Sequence, residues 1–172
     1  IVERYYDLVS SYPQFLNKQG VEKAWVANSN TQVGWKTFNY LDPAQIFKFT
    51  HLPSGNFTIQ NYDNDQYVNG AERASVGEKI LFTSTPGYEQ IAKPIGSLQW
   101  IFYNNNYNVA YHPQDHSTGS GSNGDLCAYN NNAINDISTW FIRMVPDSVM
   151  EKMPAVKAQN AINSQLSALV NE

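Results

Sequence analysis

Ala44-Gln45-Ile46-Phe47-Lys48-Phe49 has two counterparts further along the chain, Ser97-Leu98-Gln99-Trp100-Ile101-Phe102 and Ile137-Ser138-Thr139-Trp140-Phe141-Ile142. Aligning Phe47, Trp100 and Trp140 puts Phe49, Phe102 and Ile142 two places further on. Alternate side chains of a strand share a face, so each pair reads as pointing inward together. The anchors lie 53 residues apart from 47 to 100 and 40 apart from 100 to 140. Unequal spacings assign the variation in length to loops.

The openings of the copies agree too. Tyr6-Asp7-Leu8 leads into Tyr12-Pro13-Gln14-Phe15-Leu16-Asn17, and Phe57-Thr58-Ile59 leads into Asn64-Asp65-Gln66-Tyr67-Val68-Asn69. Each reads as strand, polar turn, strand. The third copy opens at Tyr107-Asn108-Val109 and passes at once to Tyr111-His112. A loop rich in glycine and serine follows from Ser117 to Gly124, then the short strand Asp125-Leu126-Cys127-Ala128-Tyr129.

Three units of roughly 40 to 50 residues, each of about four short strands, predict an all-β fold. One unit cannot bury its apolar face alone; three around an axis can. The reading is a β-trefoil of three imperfect repeats over residues 1–146, with a non-repeating β-sandwich as the alternative. Residues 147–172 read as a C-terminal helical extension or a linker to a further domain. Asp147 after Pro146 suits an N-cap, and Pro154 suits the first turn of a second helix. Ala155, Ala158, Ile162, Leu166, Leu169 and Val170 fall at helical spacing. That helix either packs across the barrel or leads onward, and a chain beginning at Ile1 rather than Met reads as processed or excised.

Composition narrows the function. The 172 residues are 42% hydrophobic, 13% aromatic and only 15% charged, enough for one domain with a real core and a polar, uncharged surface. The net charge is −4 and the Lys and Arg are scattered, which argues against a phosphate-backbone partner. No apolar run approaches the roughly 18 residues of a membrane span. A single cysteine, Cys127, rules out an internal disulfide and reads as a small buried hydrophobe. The sequence has no G-x-S-x-G elbow, no phosphate loop and no H-E-x-x-H, so the reading is non-enzymatic, without cofactor or metal. A dyad of Cys127 with His51 or His116 is the conceivable exception.

The repeat closings resemble the degenerate Gln-x-Trp motif of ricin-type β-trefoil lectin domains. Gln45-x-Phe47 keeps the glutamine and Ser138-x-Trp140 the tryptophan, whereas Gln99-Trp100 lacks the spacer. The third copy, from Tyr111 through Gly121 to Tyr129-Asn130, is similar to accessory trefoil modules of secreted Bacteroidetes glycan-degrading proteins. The resemblance implies a non-catalytic carbohydrate-binding module of a larger extracellular, cell-surface or periplasmic protein. Its partners would be a glycan and neighbouring domains of the same polypeptide. The alternative is a structural or protein-interaction trefoil acting as an interdomain spacer; a protease inhibitor ranks third.

A sugar presents hydroxyls to bidentate polar groups and a patch of C–H bonds to an aromatic face. The third copy offers His112, Gln114, Asp115 and His116, with Tyr129 as the ring and Asn131 as an amide. The two histidines also read as braces for the loop. The first copy offers Trp35 and Tyr40 with Asn39 and Asp42, where the resemblance implies aromatic and amide ligands, and Asp7 as a partner acid. Trp35 reads as core as well as platform, and Trp25, in the apolar run Ala24 to Ala27, reads as core. The second copy offers Asn61, Asp63, Asp65 and Tyr88; its Asx cluster is oxygen-rich, as calcium requires, but reads first as a turn.

Overall fold

The architecture follows from where the long strand ladders fall. A computed structural model describes residues 12–18, 23–96, 98–113, 123–130 and 138–171. In chain order the strands are β1 (Pro13–Asn17), β2 (Lys23–Ala27), β3 (Val33–Thr37), β4 (Phe47–His51), β5 (Phe57–Asn61), β6 (Tyr67–Gly70) and β7 (Leu81–Thr83). They continue as β8 (Gln90–Gly96), β9 (Gln99–Asn104), β10 (Val109–His112), β11 (Asn123–Asp125), β12 (Cys127–Asn130) and β13 (Trp140–Met144). Helices α1 (Asp147–Met150) and α2 (Met153–Val170) follow.

Six strands make a barrel. Between copies the antiparallel ladders are long: β4 with β5 from Phe47↔Asn61 to His51↔Phe57, β8 with β9 from Gln90↔Asn104 to Gly96↔Gln99, and β13 with β1 from Trp140↔Asn17 to Met144↔Pro13. Within copies the links are short. β5 meets β8 at Phe57↔Gln90, β9 meets β13 at Trp140↔Trp100 and Phe141↔Gln99, and β4 lies against β1. The hairpins β2–β3, β6–β7 and β10–β12 cap one end, and β11 pairs with β3 across copies.

The caps meet in a ring of three backbone hydrogen bonds. Val33 N–H donates to Ile80 O at 3.0 Å, Ile80 N–H to Leu126 O at 2.9 Å, and Leu126 N–H to Val33 O at 3.0 Å. Each residue supplies one donor and one acceptor, all three are fully buried, and they recur 47 and 46 residues apart in sequence. This closed cycle marks the three-fold axis of a β-trefoil.

The opening strands carry a second triplicate mark. Phe15-x-Asn17, Ile59-x-Asn61 and Phe102-x-Asn104 end β1, β5 and β9, with the three asparagines buried. Asn61 Oδ1 accepts the N–H groups of Asp63 (2.9 Å) and Asn64 (3.1 Å); Asn104 Oδ1 accepts those of Asn106 (3.1 Å) and Tyr107 (2.7 Å). The carboxamide thus turns the chain out of the barrel strand, and in the second copy this is the work of the Asx cluster.

These registers correct the copy boundaries expected from sequence. Asn17 faces Trp140, Asn61 faces Phe47 and Asn104 faces Gln90. The second copy therefore closes at β8, and Trp100 belongs to the opening strand of the third. The physical reason is local: Gln90 and Ala92 stand where the other copies have Phe47 and Phe49 or Trp140 and Ile142. Tyr111 makes the amide tolerable there, its hydroxyl donating to Gln90 Oε1 at 2.6 Å. β1, Pro13–Asn17, falls within the expected second run of the first copy, while the expected first run, Tyr6-Asp7-Leu8, lies outside the described residues.

Trp25 is fully buried, as expected, and is the hub of the core. Its ring lies 4.3 Å from Phe15, 5.1 Å from Phe102, 5.5 Å from Trp140 and 5.9 Å from Phe47, mostly edge to face. The helical extension begins at the barrel, where Met153 is buried against Ile46 and Val145. Lys157 Nζ donates to Tyr62 O at 2.9 Å and sits over the Tyr62 ring. Asp147 stands in the first turn of α1, not at its cap, which is Pro146. Beyond the anchor Ile162, Leu166, Leu169 and Val170 are exposed.

Ile80→Ala is expected to lower unfolding free energy by about 2–5 kcal/mol in urea titrations, as a large-to-small change in a filled core does. Leu169→Ala, already in solvent, is expected to change it by less than about 0.5 kcal/mol. Burial pushes the Tyr111 phenol far above its ordinary range. The folded chain then keeps a proton that the unfolded chain loses near pH 10, so stability is full below about pH 10 and falls as pH rises beyond it. Tyr111→Phe is expected to flatten that alkaline slope, at a cost near neutral pH of about 1–3 kcal/mol for leaving Gln90 Oε1 without its donor.

Candidate functional site

In the second copy, β6 ends at Asn69-Gly70, β7 ends at Thr83, and residues 84–89 return the chain to β8. Asn69, Glu72, Thr83, Thr85, Gly87 and Tyr88 line an open cleft of about 600 Å³ between these segments. The strands fix its walls, and buried amides fix its floor.

The bracing is dense. Asn69 Oδ1 accepts the Tyr88 N–H at 2.8 Å, and Gln90 Nε2 donates to Asn69 O at 3.1 Å and Tyr88 O at 2.9 Å. Asn104 Nδ2 donates to Asn69 O at 3.2 Å and to Ala71 O at 3.0 Å. Thr83 Oγ1 donates to Thr85 O at 2.7 Å. Gly70 has φ +96°, and a Cβ there would run into the Tyr111 hydroxyl. A Cβ at Gly87 would collide with Asn69 Oδ1, so a glycine is required for the bond to Tyr88.

Tyr88 is half-buried, its ring edge-on to Tyr107 at 5.8 Å. Behind it Glu89 ties down loops of the barrel end, accepting from Ser54 Oγ at 2.8 Å and Asn56 Nδ2 at 3.1 Å. The cleft thus sets an aromatic ring beside an amide, hydroxyls and a carboxylate. That donor set suits a polyhydroxylated ligand with one apolar face.

The sequence-predicted residues fare unequally. Of the second-copy candidates only Tyr88 lines the cleft; Asn61 is turned inward onto its own turn and onto Ala44 O at 2.8 Å. Asn69, Glu72, Thr83 and Thr85 escaped sequence reading. The available signal was Val68-Asn69-Gly70, an amide and a glycine ending a strand, facing Gly87-Tyr88.

Trp35 is core, which corrects its place among the site candidates. It is 4% exposed, Lys23 Nζ lies over its ring at 4.9 Å, and a Cβ on Gly124 would sit 2.7 Å from its Nε1. Tyr40, by contrast, is 48% exposed. The Arg143 guanidinium lies 5.8 Å from the Tyr40 and Phe38 rings, and its Nη1 donates to Gln14 Oε1 at 2.6 Å. Asn39 Oδ1 accepts the Leu41 N–H at 3.1 Å and Asp42 Oδ1 the Ala44 N–H at 3.0 Å, so both shape the local turn. Burial raises the Asp42 carboxyl above its ordinary value despite the Ala44 N–H.

In the third copy His112 is buried and meets the half-buried Tyr129 edge-on at 4.8 Å. Gln114, Asp115, His116 and Asn131, like Asp7 of the first copy, lie outside the described residues. Cys127 is buried, as expected, its Sγ 3.9 Å from Asp125 O.

No protein-family model matches the chain, and no curated protein matches it by sequence. Its likenesses are to solved structures. A designed three-fold symmetric protein, ThreeFoil, superposes with a TM-score of 0.66 at 13% identity, over 76% of this chain and 96% of that one. A ricin B-like lectin from Macrolepiota procera, solved in complex with lactose, gives 0.63 at 9% identity, over 78% of this chain and 95% of the lectin. An endo-β-galactosidase from Clostridium perfringens gives 0.63 at 17% identity, over 79% of this chain but 33% of the enzyme. At these identities the likeness is one of fold, and it agrees with the strand pairing: the chain is an all-β trefoil with a C-terminal helical extension.

Proposed function

We propose that the chain is a non-catalytic carbohydrate-binding module, with the second-copy cleft as its principal site. The observation that carries this is Tyr88, a half-exposed ring held by its own backbone beside the Asn69 amide in a concave polar pocket. Rigid walls mean that little ordering entropy is lost when a ligand arrives. Trefoil lectins among the structural neighbours support the reading, and the half-buried Tyr129 beside His112 is the third-copy candidate for a second site. An accessory role in a larger extracellular glycan-processing protein, of the Bacteroidetes type named above, is part of this proposal. The match to only a third of a galactosidase supports that role.

One observation favours the spacer reading instead. The stripe Ile162, Leu166 and Leu169 on α2 stands exposed beyond the helix anchor, as a surface docking on a neighbouring domain would.

Glycan-array and calorimetric binding are the tests. Tyr88→Ala is expected to weaken the best ligand about tenfold, equivalent to about 1.4 kcal/mol. Gly87→Ala is expected to weaken it comparably without loss of the folded near-ultraviolet spectrum, because it breaks the Asn69–Tyr88 bond from a surface loop. A silent array with no glycan-induced shifts in the NMR spectrum would leave the spacer as the better account.

A further inference from the structure

We infer that the second-copy cleft sorts sugars by charge, favouring an amino sugar with a free ammonium group over its neutral counterpart and disfavouring a sugar that carries a carboxylate. The inference rests on the sugar-binding reading of this cleft and adds the class of ligand it takes. Of the six lining residues Glu72 alone is charged, and it is exposed. Among the described residues it forms no ion pair and no hydrogen bond.

The two cations nearest Glu72 in sequence each pair with another carboxylate. Residues 67–92 contain two, Arg73 and Lys79. Arg73 Nε lies 3.3 Å from Glu78 Oε2, and Lys79 Nζ lies 3.0 Å from Asp125 Oδ2. Glu89, next in sequence to Tyr88, is held by the neutral donors Ser54, Asn56 and Asn105, so its charge adds to the negative field. A ligand carboxylate here would meet Glu72, the one charged side chain among the lining residues. A ligand ammonium would meet Glu72 and could also rest against the Tyr88 ring, which attracts cations. At 4 to 6 Å in a solvent-exposed cleft, one unit charge is worth a factor of about three to ten in affinity.

The test is calorimetric titration of the intact chain with matched sets that differ in one group: glucose, glucosamine and glucuronate, and the galactose and mannose equivalents. The expected result is an order of amino over neutral over acidic, spanning about three- to tenfold at each step. Raising salt to about 0.5 M should compress the span, and Glu72→Gln should lower the amino-to-neutral ratio about threefold or more. Binding with equal affinity across a set overturns the charge selection and leaves sugar binding standing. A charge order whose span is undiminished in Glu72→Gln overturns the assignment to that carboxylate. No binding across all three sets overturns this inference together with the reading beneath it.

Discussion

Three hydrogen bonds, Val33 to Ile80, Ile80 to Leu126 and Leu126 to Val33, tie the three caps into one cycle, and the rest of the molecule is arranged around it. Each bond alone is worth only about 0.5–1.5 kcal/mol, but an unmade donor at such depth costs about 1–3 kcal/mol. The ring therefore resists opening one bond at a time. It fixes the caps relative to one another, and through them the six barrel strands below. The aliphatic side chains of the same residues close the cap end of the core, while Trp25, Phe15, Phe47, Phe102 and Trp140 fill the rest with edge-to-face contacts.

The departure from three-fold symmetry is where the cleft forms. In the first and third copies an aromatic fills the closing position, as Phe47 and Trp140. In the second copy Gln90 takes that position, and an amide has hydrogen bonds to give. They go to Asn69 O and Tyr88 O, the two backbone points that define the cleft. Asn104, which ends the opening strand of the third copy, adds its own bond to Asn69 O. A polar residue in the core thus exchanges packing for a rigid rim. The exchange holds because Tyr111, from the third cap, satisfies the remaining Gln90 oxygen.

Much of the fold was legible because strands announce themselves by alternation. Phe47 with Phe49 and Trp140 with Ile142 were read as inward pairs, and both lie in barrel strands. The second copy misled because aromatic spacing was the criterion and Gln90 and Ala92 fail it, so the alignment slid to Trp100. Trp35 is ambiguous in sequence for a related reason. Sequence gives a tryptophan's position in a strand but not what covers its face, and here Lys23 and the backbone at Gly124 cover it. The cleft was the least legible feature. Its residues are ordinary polar types spread from 69 to 88, brought together by a loop whose course depends on side-chain bonds to the backbone.

The central claim is that the second-copy cleft, and not another face of the trefoil, receives the ligand. Backbone amide shifts mapped during titration with a glycan bound in an array test it most directly. The account predicts that the largest shifts fall on Asn69, Glu72, Thr85, Gly87 and Tyr88, with smaller ones relayed to Gln90 and Asn104. Shifts concentrated instead around Tyr40, or along α2 from Ile162 to Leu169, with the cleft amides unmoved, would contradict it.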